Sequence, residues 1–86
     1  MKKIEYYSYK NIIFNQLKTA RKKAGLSQSE LAAKMQVMNI NIDQQMISRI
    51  EKNKRIVTDY ELATFCRILN VEEKDLLKDY HEDLFT

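Results

Sequence analysis

Two adjacent glutamines, Gln44 and Gln45, stand directly ahead of an apolar step of Met46, Ile47 and Ile50, and Lys52, Lys54 and Arg55 follow it. A side-chain amide offers a donor and an acceptor together, so the chemistry open to this stretch is hydrogen-bonded recognition. Catalysis finds no residues to work with. No nucleophile is paired with a base and an orienting group, no pair of carboxylates falls inside a motif, and no glycine loop could cradle a phosphate. One cysteine, Cys66, and one histidine, His81, make neither an internal disulfide nor a four-ligand zinc site. The sequence reads as a non-enzyme with no metal and no cofactor.

Charge points to the class of partner. Residues 1–55 carry twelve Lys and Arg against four acids, and the remaining residues carry three against eight, within an overall net charge of +3. Solvated helix faces account for the density of charge. They account less well for its division, which suits a polyanion facing the first part and solvent or a protein facing the second. No apolar run nears the roughly 20 residues that span a bilayer, and the start of the chain lacks a signal-type hydrophobic segment. The expected location is the cytoplasm, with no membrane contact.

The elements that must hold the amides in place follow from local signals. With 86 residues, one glycine and no proline, the chain has material for one all-α domain with a single core. Asn11 is placed to cap a first helix carrying Ile13, Leu17, Ala20 and Ala24, with Lys18, Arg21, Lys22 and Lys23 on its other faces. Gly25 is placed to end it. Ser27 and Glu30 have capping-box spacing ahead of Leu31, Ala32 and Met35, as do Thr58 and Glu61 ahead of Leu62, Phe65, Cys66 and Leu69. Asp43 is a cap for a helix holding Gln44, Gln45 and Arg49, with Ile47 and Ile50 inward and Asn53 as terminator. Asn70 closes the fourth helix, and "EEKDLLKDY" opens a fifth through Leu76, Leu77 and Tyr80.

The segments "LSQSELAAKM", "ISRIEKNKR" and "ELATFCRILNVEEKDLL" together resemble the Cro/C1-type helix-turn-helix domain of phage repressors and bacterial regulators. That resemblance implies a five-helix lambda-repressor-like bundle in which the second and third helices form the DNA-reading unit and the third enters the major groove. On this reading Gln44, Gln45 and Arg49 contact bases, a glutamine pairing with adenine N6 and N7 and an arginine with guanine O6 and N7. Ser27, Gln28, Ser29, Ser48, Lys52, Lys54 and Arg55 contact phosphates. Met46 either fills the core or touches a thymine methyl.

The chain departs from the family pattern between Met35 and Ile47. Eleven residues, "QVMNINIDQQM", make a longer turn, and Gln36 stands where the family has glycine after the second helix. The extra residues either bulge as a loop with Val37, Ile40 or Ile42 tucked in, or extend the second helix. Asn39 and Asn41 are placed to satisfy their own turns or to reach DNA. The expected organisation is a basic, aromatic extension over residues 1–10, the DNA-binding domain over 11–80 and an acidic tail over 81–86. Tyr6, Tyr7 and Tyr9 with Lys2, Lys3 and Lys10 either pack on the domain or lie along DNA. The expected function is a transcriptional repressor binding double-stranded DNA as a homodimer on an inverted repeat. The other reading, from a different class, is an antitoxin or anti-regulator whose tail, with Leu84 and Phe85, binds a protein partner.

Overall fold

Helix ends leave backbone N–H and C=O groups without intrahelical partners, and in this chain short side chains and left-handed residues take them up. The computed structural model describes residues 7–82. Within them α1 (Phe14–Lys23) ends on Gly25 at φ 73°, where the Gly25 and Leu26 N–H groups donate to the Lys22 and Arg21 carbonyls at 3.0 and 3.2 Å. This closure suits glycine because φ is positive. α2 (Gln28–Val37) opens on the Ser27–Glu30 box: Glu30 N–H donates to Ser27 Oγ at 3.0 Å, and Ser27 N–H to Glu30 Oε1 at 2.8 Å. Those bonds hold the Glu30 carboxyl below its ordinary range.

α3 (Gln44–Glu51) is capped by Asp43, whose Oδ1 accepts from Met46 N–H at 2.8 Å, and ends on Asn53 at φ 60°. α4 (Asp59–Leu69) opens on the Thr58–Glu61 box and ends on Asn70 at φ 56°. α5 (Glu73–Leu76) and α6 (Lys78–His81) follow. All regular structure among the described residues is helical, as the composition implied.

α1 packs on α3, α4 and α5, while α2 packs on α3 and α4. Leu17, Leu31, Met35, Ile42, Ile47, Ile50, Phe65 and Leu76 are wholly or almost wholly buried between them. Cys66 joins this core; burial, reinforced by Glu73 and Asp75, pushes its thiol up to about 11 and leaves it protonated and unreactive at neutral pH. Met46 is half-buried against the same cluster, as a core role requires.

Several expectations are corrected. The fifth helix is two short ones meeting at Leu77. With that break the buried residue of the last turn is Asp79, which accepts from Gln16 Nε2 at 2.9 Å, while Tyr80 is 47% exposed. Asn11 does not cap α1, whose N-cap is Ile13. The Asn11 carboxamide is buried instead: Oδ1 accepts from Ile13 N–H at 3.0 Å, and Nδ2 donates to the Ile50 and Arg55 carbonyls at 3.0 and 2.9 Å. It ties the start of α1 to the end of α3. Arg21, read as solvent-facing, is buried, and Ala24 is exposed.

The connection between α2 and α3, residues 38–43, combines both conformations anticipated for it. α2 runs two residues beyond Met35, and Asn39 takes the left-handed position at φ 64°, its N–H donating to the Gln36 carbonyl and that of Ile40 to Met35, each at 3.0 Å. Asparagine therefore does what glycine would, one of the few residue types that visits this region readily. The chain then folds back. Gln36 Nε2 donates to the Ile42 carbonyl at 2.9 Å, and Ile42 is fully buried while Val37 stays 83% exposed. One isoleucine in the core and one amide across the loop return the backbone to α3.

Candidate nucleic-acid interface

Gln28 is the first residue of α2 and Gln44 the first of α3, so the two helix N-termini lie close enough for their side chains to meet. Gln44 Nε2 donates to Gln28 Oε1 at 2.7 Å. Behind them Gln28 Nε2 donates to Glu51 Oε1 at 3.0 Å. Arg21 closes the chain with two bonds to the same carboxylate, Nε to Oε2 at 2.6 Å and Nη2 to Oε1 at 3.0 Å, and a third from Nη1 to the Leu26 carbonyl at 2.8 Å. The Arg21 and Glu51 side chains are only 9% and 3% exposed. A fork-to-fork pair of this kind is strong and directional. The hydrogen bonds it donates to Glu51 raise the Arg21 pKa against the opposing effect of burial, so the guanidinium is always charged.

This network runs from the interior to the surface. Gln28 is half-buried, and Gln44, Gln45 and Arg49 are exposed, with Arg49 one turn beyond Gln45 on the same side of α3. Ser27 and Ser29 are exposed at the start of α2, Ser48 is half-buried, and Lys52 and Lys54 are exposed just past α3. Arg49 Nη2 reaches the Lys54 carbonyl only at 3.5 Å, a distance that leaves its guanidinium available to a stronger acceptor.

Arg55 stands apart from the other cations. Its Nη1 and Nη2 fork onto Glu61 Oε1 and Oε2, both at 3.0 Å, and Nη1 also donates to the Ile56 carbonyl at 2.9 Å. The pair ties the residues after α3 to the first turn of α4. Burial pushes the Glu61 carboxyl up, but hydrogen bonds from Arg55 and Thr58 outweigh it and hold the group below its ordinary range.

Sequence reasoning did not single out Glu51, Arg21 or Asn11 as supports of this surface. A signal was present for the first two. Arg21 lies four residues after Leu17, and Glu51 four after Ile47, so each charge sits on the apolar stripe of its helix, where it is buried only with a partner. Of the terminal candidates, Lys2, Lys3, Tyr6, Leu84 and Phe85 lie outside the described residues; Tyr7 is exposed, and Tyr9 stacks on Phe14 with ring centroids 5.8 Å apart. Among the described residues no group of His, Cys, Asp or Glu is arranged to hold a metal ion, and no helix is long and apolar enough to cross a membrane.

No curated protein matches the sequence. A family model described as helix-turn-helix does match, over residues 17–76, a span that contains α2, α3, the connection between them and the network behind Gln44. With ordered motifs, two adjoining helix N-termini and this match in agreement, the chain belongs to the Cro/C1-type helix-turn-helix family of DNA-binding transcriptional regulators.

Proposed function

We propose that the protein is a transcriptional repressor that binds an inverted-repeat operator as a homodimer, with α3 in the major groove. The observation that carries this reading is the exposed first turn of α3, where Gln44 is held by Gln28 and Gln45 stands beside it. The first turn of such a helix reaches base edges, and amides pair with adenine there. Arg49 is suited to guanine or to a phosphate. Ser27, Gln28, Ser29, Ser48, Lys52 and Lys54 supply backbone contacts, with the free N–H groups of α2 helping to hold a phosphate at Gln28. Arg55, engaged by Glu61, supports the connection to α4 in this scheme.

Two copies are needed to read two half-sites about 34 Å apart. The face we assign to dimerisation is an apolar groove of about 550 Å³ lined by Ile12, Val57, Leu62 and Leu77, between the segment ahead of α1, the start of α4 and the junction of α5 with α6.

Selection of bound duplexes from a random DNA pool tests the proposal. Enrichment of a palindromic sequence is expected, and replacing Gln44 and Gln45 by alanine is expected to cost about 1–3 kcal/mol of base discrimination for each good amide–adenine pair. A pool that emerges without sequence preference, or an alanine variant that selects the same sequence as strongly, refutes base reading by this turn.

A further inference from the structure

We infer that Asn41 is a further base-reading residue, carried by the long connection ahead of α3, and that it pairs with adenine in the same major groove. The inference rests on the proposed docking of α3. It adds a contact from the very residues by which this chain departs from the family pattern.

The connection is held at both ends. The Asn39 and Ile40 N–H groups close α2 on the Gln36 and Met35 carbonyls, Gln36 Nε2 donates to the Ile42 carbonyl at 2.9 Å, and Asp43 caps α3. Ile42 is fully buried, and Ile40 packs against the core. Between them the Ile42 N–H donates to the Ile40 carbonyl at 2.9 Å, which sets Asn41 at the apex of a three-residue turn. The two isoleucines go inward, and Asn39 and Asn41, alternating with them, are exposed.

A loop asparagine ordinarily serves its own backbone, through a left-handed φ or a hydrogen bond to its turn. Asn39 does the first, at φ 64°. Asn41 does neither: it is not among the residues of positive φ, and its carboxamide makes no hydrogen bond to another described residue. An anchored turn thus presents an amide that the fold itself does not use.

Which part of DNA it meets follows from charge. From Met35 to Ser48 the chain carries no Lys or Arg, the longest such run within residues 1–55, and it does carry Asp43, exposed just beyond Asn41. Phosphates are held by cations and repelled by a carboxylate. A neutral amide matches a base edge instead, its acceptor and donor meeting adenine N6–H and N7. Chain length bounds the position. The chain from Asn41 to Gln44 spans at most about 11 Å and base pairs stack about 3.4 Å apart, which places the pair read by Asn41 within about three steps of the one read by Gln44.

The experiment uses the full chain and duplexes that it selects from a random pool. Each base pair of a selected duplex is varied in turn, and affinity ratios are measured for the wild type, Asn41→Ala, Asn41→Asp, Gln44→Ala and Gln45→Ala. The glutamine variants locate the pairs read by α3. Asn41→Ala is expected to lower the preference for adenine at a further pair, within about three steps of the Gln44 pair, by at least about five-fold, the lower end of what a bidentate contact supplies. Ratios at the Gln44 and Gln45 pairs are expected to stay within about two-fold, as for independent contacts. Asn41→Asp keeps the shape but has no donor for adenine N7, and is expected to lose the same preference.

Asn41 is exposed, so its replacement should leave the midpoint of thermal unfolding within about 4 °C of the wild type. Should Asn41→Ala fail to fold by circular dichroism, Asn41→Asp decides. Unchanged ratios at every pair overturn the inference, and so does an affinity loss equal for all duplexes, the mark of a phosphate contact or of lost stability. Either result leaves base reading by α3 intact while Gln44→Ala or Gln45→Ala still alters base preference. If neither glutamine variant alters it, the major-groove reading itself is overturned, and the inference falls with it.

Discussion

Removing one member of the Arg21–Glu51 pair tests most directly how the reading surface is supported. Glu51→Ala strands two guanidinium N–H groups and the Gln28 amide, all of which now point at the carboxylate. Each hydrogen bond to a charged group contributes about 1.5–3 kcal/mol. Two of them give a loss that overlaps the roughly 3–5 kcal/mol found when a buried pair is broken from one side. A domain of this length has about 4–13 kcal/mol of stability in all, so the loss is a large share of it. The midpoint of thermal unfolding should drop by at least about 12 °C, at about 4–8 °C per kcal/mol. The double variant Arg21→Met with Glu51→Leu strands neither charge and should lie within about 1 kcal/mol of the wild type. Urea unfolding followed by far-UV circular dichroism measures both. A single variant that loses less than about 1 kcal/mol, or a double variant no better than Glu51→Ala, would refute the reasoning that the pair is held by mutual compensation in a dry site.

Two further outcomes test other parts of the structure. Asn39 ends α2 in the left-handed region, so Asn39→Ala should cost about 1 kcal/mol in the same unfolding assay, while Asn39→Gly should stay within about 0.5 kcal/mol of the wild type; equal effects would mean that φ does not decide this position. Glu61 has a folded pKa below its unfolded one, so the stability it contributes is complete above the unfolded value of about 4.3 and is lost as pH falls through the folded value. Wild-type stability should therefore decline below about pH 5, and Glu61→Gln should flatten that decline; an identical acid limb in the variant would exclude Glu61 as its source.

What the amino-acid sequence determined by itself is the start and stop of the main helices. A capping box or a left-handed terminator acts over three or four residues, within reach of one turn of chain. Ser27 with Glu30, Asp43, Thr58 with Glu61, Gly25, Asn53 and Asn70 could thus be read before any packing was known, and each acts as read. The ordered motifs from Gly25 to Leu77 carried the family for the same reason. Tertiary structure decided which polar side chains are buried and what they touch. Arg21 meets Glu51 across thirty residues of sequence, Asn11 meets Ile50 across thirty-nine, and Gln28 meets Gln44 across sixteen. Such pairings depend on how α1, α2 and α3 dock, and no local spacing encodes that. The burial of Ile42 has the same origin: its side chain takes its place from the core it completes.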